Sequence, residues 1–326
     1  MTLEKLTNLL KDPMNEVNNV ILEKMGSNVP LIMEIANHLI SAGGKRMRPM
    51  LTLAGALVGN CNHIKKEVYS LAAAVEFIHS ATLLHDDVID GSKKRRGKDT
   101  INFIWGNELS VLVGDFLFAR SFELMVETDS LQILEKLSNA SVCITEGEIK
   151  QSLISGNPNS SISDYYEVIN GKTAKLFAVA TQTGCIANNG EKKYFSALHD
   201  FGLSLGRAFQ ICDDALDYTN SKNNLGKNLG DDFKEGKITL PIILAYGRSN
   251  DKEKKFWERT ISNLKQHQGD FETALEIINK YQCIEDTLTR ATHFSNVAVD
   301  SLDIFKDNIY KEKLVSLVTK SVSRIY

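Results

Sequence analysis

Residues 60–90 read NCNHIKKEVYSLAAAVEFIHSATLLHDDVID, without a proline or a glycine. At roughly 1.5 Å per residue such a stretch makes a helix of about 46 Å. The rest of the chain supports the same period. Only 5 prolines occur in 326 residues, and β-branched runs between turn pairs are scarce. The expected fold is therefore nearly all α. Turn-rich punctuation falls at 41–44, 91–97, 155–163, 188–190 and 219–236, with helical segments between. None of these breaks has the character of a linker, so one domain spanning 1–326 is expected.

The long stretch ends in acid. Asp90, Asp86, Thr82, His79, Val75 and Leu71 follow one another at helical steps and share a face. That face is apolar at one end, carries a histidine and a hydroxyl in the middle, and closes on carboxylates. A lone DDxxD is explained as readily by a buried helix whose end emerges into solvent. The electrostatics press the other way. Carboxylates about 6 Å apart repel by roughly 3 kcal/mol at an effective dielectric of about 20. Acid at a helix C-terminus also opposes the macrodipole. A divalent cation relieves both penalties, and Mg²⁺ favours a few carboxylates plus substrate phosphate oxygens.

A second copy makes chance a poor explanation. RAFQICDDALDY holds Asp213, Asp214 and Asp217, and Asp217, Asp213, Gln210, Gly206 and Leu203 again share one helical face. Two helices that aim carboxylates at a shared metal–phosphate site are expected. Basic groups follow each motif. KKRRGKDT brings Arg95 and Arg96 after the first, and GKNLGDDFKEGKITLP brings Lys227 and Lys237 after the second. Upstream, GGKRMRP holds Lys45, Arg46 and Arg48, with Lys45 and Arg48 facing one way if the segment is helical. Alone, each is an ordinary solvated run; beside the acidic motifs they read as anion ligands. Arginine offers a planar fork to phosphate and lysine a point charge.

Other readings drop out. The GKT of NGKTAKLF is not a P-loop, because the position needing the first glycine is Tyr166 and no strand precedes it. A net charge of -3 argues against a nucleic-acid partner. The odd, scattered cysteines (61, 143, 185, 212 and 283) lack metal spacing and read as reduced thiols of a cytoplasmic protein. No apolar run reaches membrane-span length.

Taken in order, GGKRMRP, EFIHSATLLHDDVID, RRGKDT, GKTAKLF, FQICDDALDY and GKNLGDDFKEGKITLP strongly resemble the trans-type isoprenyl diphosphate synthases over essentially the whole chain. Within that family the chain looks most like the bacterial octaprenyl diphosphate synthases, which make the ubiquinone side chain. The resemblance implies a single-domain helical bundle around a deep central cavity, usually a homodimer. It implies that Asp86, Asp90 and Asp213, supported by Asp87, Asp214 and Asp217, hold Mg²⁺ on an allylic diphosphate. Arg95, Lys172, Lys227 and Lys237 would neutralise that diphosphate, and Lys45, Arg48, His79 and Arg96 would bind isopentenyl diphosphate. Thr173 and Gln210 would present oxygen dipoles to the allylic cation.

In this family a bulky aromatic five residues before the first aspartate stops elongation early. Here that position is Ala81, followed by Thr82, so the passage is expected to be open. Phe118, Phe122 and Met125 form a stripe on the next long segment, and Met125 or Leu137 is the expected floor, an ordinary core role being the alternative for each. The rival readings are a geranylgeranyl or solanesyl enzyme and a non-catalytic subunit of a heteromeric synthase. A long prenyl product also has to reach a bilayer, so transient membrane contact is expected.

Overall fold

The computed structural model describes residues 2–41, 44–59, 63–95, 97–219 and 229–322. The fold is all α, as the missing prolines and strand signals foretell. Its helices are α1 (Thr2–Leu9), α2 (Lys11–Lys24), α3 (Pro30–Ser41), α4 (Met47–Leu57), α5 (Lys66–Ile89), α6 (Ile101–Trp105), α7 (Asn107–Val126), α8 (Leu131–Ile154), α9 (Ile162–Ile169), α10 (Lys175–Ala187), α11 (Lys193–Leu216), α12 (Asp231–Lys234), α13 (Leu240–Arg248), α14 (Asp251–Trp257), α15 (Asp270–Lys280), α16 (Cys283–Asp300) and α17 (Ile309–Val322). π-Helical turns at Asn170–Ala174 and Glu258–Ser262 follow α9 and α14. Among the described residues the only sheet is a two-stranded hairpin, β1 (Lys94–Arg95) against β2 (Lys98–Asp99). None of the described helices is long and apolar enough to cross a membrane.

The chain divides into two compact units. The first comprises Met1–Ser141, Leu176–His199 and Leu302–Leu314. Its centre is α5, which packs on α2, α4 and α7. Every residue from Leu71 to Ile78 is buried, so the helix is enclosed on all sides there. Burying side chains such as Leu71, Val75 and Ile78 contributes about 1.5–3 kcal/mol each. The helix begins at Lys66, because Lys65 is extended. Asn188 holds it so: its Oδ1 accepts the Lys65 N–H at 3.0 Å, and its Nδ2 donates to the carbonyls of Ala56 and His63. Helices α4 and α10 touch backbone to backbone, since a Cβ on Gly184 would lie 2.0 Å from the Thr52 carbonyl oxygen.

The second unit comprises Val142–Lys175, Asp200–Ser301 and Val315–Tyr326. Its core gathers Tyr165, Ile211, Phe233, Leu240, Trp257 and Ile278. Trp257 satisfies its indole N–H on Ser249 Oγ at 3.1 Å, as a fully buried tryptophan requires. Helix α9 starts on a capping box: Ser161 Oγ accepts the Asp164 N–H, and Asp164 Oδ2 accepts the Ser161 N–H.

Candidate active site

In the first unit the three acids at the end of α5 do not act alike. Asp86 is half-buried and Asp90 exposed, one turn apart. Asp87 is only 3% exposed and turns to Arg95, whose Nε and Nη2 reach its Oδ1 at 3.0 and 2.8 Å. Burial pushes the Asp87 carboxyl above the ordinary range, and the guanidinium works against that shift. Arg95 is aimed by the hairpin, where it pairs with Lys98. Asn102 Nδ2 fastens this loop by donating to the carbonyls of Asp87 and Ser92. Arg96 lies outside the described residues.

Helix α4 begins at Met47, so Lys45 and Arg46 precede it and the helical facing of Lys45 with Arg48 does not arise. Lys45 is exposed. Arg46 adopts a left-handed conformation, φ 45°, and donates to the buried Glu76 at 2.7 Å. Arg48 stacks its guanidinium over the Phe177 ring, 4.6 Å from the centroid. His79 is half-buried, and its carbonyl accepts the Thr82 hydroxyl at 2.8 Å.

A pocket of about 830 Å³, open solvent at its mouth included, runs along the α5 face that carries His79, Leu83 and Asp87. Ile21, Met25 and Leu39 line its apolar part; Arg46, Glu76 and Arg95 line its polar part. Ala81 and Thr82 do not line it. Ala81, Met125 and Leu137 are all fully buried, and Thr82 is half-buried. Phe122, expected in the same stripe as Met125, is 41% exposed and points to solvent.

In the second unit GKT sits on a π-helical turn. Two glycines allow the approach that this turn needs: a Cβ on Gly171 would meet the Cys143 carbonyl oxygen at 2.5 Å, and one on Gly147 the Lys172 nitrogen at 2.6 Å. Lys172 Nζ donates to Glu148 Oε2 at 2.7 Å and to Gln151 Oε1 at 2.8 Å. Thr173 donates its hydroxyl proton to Gln210 Oε1 at 2.8 Å. Gln210 Nε2 donates to Asp214 Oδ1 at 2.8 Å, and Tyr165 Oη donates to Asp214 Oδ2 at 2.6 Å.

The second acidic motif divides as the first does. Asp213 is half-buried, whereas Asp214 is 5% exposed. Asp217 is buried too, and its Oδ2 accepts the Asp232 N–H at 3.0 Å. Lys237, half-buried, pairs with Glu235 at 2.5 Å. Lys227 lies outside the described residues.

Glu76, Glu148, Gln151 and Tyr165 were missed in the sequence. Glu148 and Gln151 carried a usable signal, an i, i+3 polar pair two helices before the GKT segment. Glu76 stood out only as one charge in an apolar run.

Among the described residues no three His, Cys, Asp or Glu side chains form a ready ion cage. The donors nonetheless suit Mg²⁺. Asp86, Asp90 and Asp213 each offer hard carboxylate oxygens that reach solvent, the donor type Mg²⁺ prefers when water and substrate phosphates complete its shell.

An all-α chain with two helices ending in DDxxD, each with an accessible leading carboxylate, and with a lysine, threonine and glutamine set beside the second, has the build of a trans-prenyltransferase. The polyprenyl synthetase family model matches residues 29–278, and the chain belongs to that family. It is 37% identical to octaprenyl diphosphate synthase from Haemophilus influenzae, covering 100% of this chain and 98% of that protein. Among solved structures, it is 43% identical to a decaprenyl diphosphate synthase from Rhodobacter capsulatus, with TM-score 0.95 and 99% of each chain covered. It is 47% identical to a polyprenyl synthase from Caulobacter crescentus complexed with calcium and isoprenyl diphosphate, with TM-score 0.94, covering 100% of this chain and 98% of that one.

Proposed function

We propose that this trans-prenyltransferase adds successive isopentenyl diphosphates to farnesyl diphosphate and releases all-trans octaprenyl diphosphate for a ubiquinone side chain. The observation that carries the site assignment is the split within each motif: the leading carboxylate reaches solvent and its neighbour is tied inward. Asp86, Asp90 and Asp213 would hold Mg²⁺ on the allylic diphosphate, with Asp87, Asp214 and Asp217 as the supporting carboxylates behind them. Bound there, Mg²⁺ supplies charge that stabilises the leaving diphosphate.

The protein's own residues do the rest. Arg95, Lys172, Lys227 and Lys237 add positive charge to the same leaving group. The allylic C–O bond breaks and its electron pair departs with the diphosphate. Lys45, Arg48, His79 and Arg96 hold isopentenyl diphosphate so that its double bond attacks the cation. Thr173 and Gln210 face that cation with oxygen dipoles. A proton is then lost to the released diphosphate, and the elongated allylic diphosphate re-enters the cycle. Apolar walls keep water from the cation.

The product grows past the small Ala81 and Thr82 toward a floor at Met125 or Leu137. The whole chain, 1–326, acts as one synthase domain, in a cytoplasmic homodimer that touches a membrane to release product. The octaprenyl product is supported by the Haemophilus influenzae relative; the Rhodobacter capsulatus structure favours a longer one.

The test is incubation of the purified protein with farnesyl diphosphate, excess isopentenyl diphosphate and Mg²⁺, read by product mass. A forty-carbon prenyl diphosphate is expected. Another length keeps the chemistry and moves the floor. No condensation with any primer or metal refutes the enzyme reading and leaves a non-catalytic subunit of a heteromeric synthase.

A further inference from the structure

Asp214 stands where the motif places a metal carboxylate, yet each of its oxygens already has a protein donor. Tyr165 Oη lies 2.6 Å from Oδ2 and Gln210 Nε2 lies 2.8 Å from Oδ1. Both Asp214 and Tyr165 are buried.

This arrangement orients the neighbouring amide. Gln210 turns its NH₂ toward Asp214, donating to Oδ1 at 2.8 Å, because a carboxylate oxygen there is an acceptor. The flipped amide would set two acceptors against each other. With NH₂ committed, Oε1 faces Thr173, whose proton it takes at 2.8 Å. The Thr173 oxygen is then left with lone pairs, and Oε1 keeps a second one. Both dipoles present negative ends, the sign that a developing cation needs.

We infer that Tyr165 and Asp214 are positioning residues that set the direction of the Gln210 and Thr173 dipoles, and that Asp214 is not a metal ligand. The inference rests on the proposed function above. It assigns a role to Tyr165, which no motif marks, and separates Asp214 from Asp213.

The test uses the full-length protein and the variants Tyr165→Phe, Asp214→Asn, Asp213→Asn and the double variant Tyr165→Phe/Asp214→Asn. Thermal unfolding first confirms that each folds. The rate of a single condensation is then measured against both substrates and Mg²⁺. Mn²⁺ binding in the presence of a non-ionising thiolo analogue of farnesyl diphosphate is read by electron paramagnetic resonance.

Tyr165→Phe is expected to lower kcat about tenfold, with both KM values and half-saturating Mg²⁺ changed less than threefold. Asp214→Asn, whose amide lets Gln210 flip, is expected to lose about a hundredfold, and the double variant no more than that. Mn²⁺ affinity should hold in Asp214→Asn and fall at least about tenfold in Asp213→Asn. Equal weakening of Mn²⁺ in both variants overturns the inference, as does an unchanged kcat in Tyr165→Phe. Absence of condensation in the unsubstituted protein refutes the functional reading instead.

Discussion

Replacing Gly171 with alanine tests how tightly the π-helical turn holds Lys172 and Thr173, the groups proposed to face the substrate. The new Cβ would sit 2.5 Å from the Cys143 carbonyl oxygen and 3.0 Å from Gly147 Cα, while ordinary contact begins at 3.4 Å. The backbones must part by about 0.9 Å, since both neighbours are main chain and cannot rotate away. Overpacking of this kind costs about 1–3 kcal/mol. The functional cost should be larger. Lys172 and Thr173 are the next residues in the chain, and Lys172 is bonded to Glu148 and Gln151 on the helix being pushed off. Catalytic groups tolerate about 0.5 Å of misplacement, and about 1 Å can cost a hundredfold. Gly171→Ala should therefore lower kcat for a single condensation by about 10- to 100-fold and reduce stability to urea by about 2 kcal/mol. Gly247→Ala is the control: no atom lies within 4 Å of its added Cβ, so the helix should gain about 0.5–1 kcal/mol with kcat unchanged. A Gly171→Ala enzyme with kcat within twofold of the parent would refute the claim that this close approach positions the site.

Met125→Ala should lengthen the product and lower stability by about 2–5 kcal/mol, because the side chain is fully buried; an unchanged product distribution by mass would remove Met125 as the floor. Gly184→Ala should destabilise by about 3 kcal/mol, at the top of the overpacking range, since its Cβ would meet the Thr52 carbonyl oxygen at 2.0 Å; a loss below about 0.5 kcal/mol in urea would show that α4 and α10 separate freely. Asp270 is held at about 2, below its ordinary 3.8, chiefly by its hydrogen bonds from Arg259. A depressed carboxyl stabilises the fold fully above the ordinary value, and that contribution is lost as pH falls through about 2. The gap is worth about 2 kcal/mol unscreened, and with Arg259 35% exposed about 1 kcal/mol remains. Asp270→Asn should show that deficit at pH 7 and converge on the parent between about pH 4 and 2; a constant difference would refute the pairing. Chelation should abolish condensation and Mg²⁺ should restore it, while far-ultraviolet circular dichroism stays constant because the apolar cores described above need no metal; loss of helix on chelation would contradict this.

Residues 60–90 carried their helix legibly, because a missing proline and glycine and a 3.6-residue period are properties of neighbours in the chain. The same period put Asp86 with Asp90 and Asp213 with Gln210 on common helical faces. The family resemblance rested on short motifs that need no tertiary knowledge, and the chain belongs to the polyprenyl synthetase family. What the tertiary structure decided was partnership. Asp86 and Asp87 are alike in sequence, but Asp87 is buried against a guanidinium, because the hairpin brings Arg95 back onto α5. Asp213 and Asp214 are alike too, until Tyr165 arrives from a helix 49 residues earlier in the chain. The start of α5 depended on Asn188, 123 residues after Lys65, and the π-helical turn on two glycines that let helices meet. Periodicity is a local property that one strand of sequence can carry. The burial and hydrogen-bond partner of a carboxylate depend on which distant backbone the fold sets beside it, and no spacing along the chain records that.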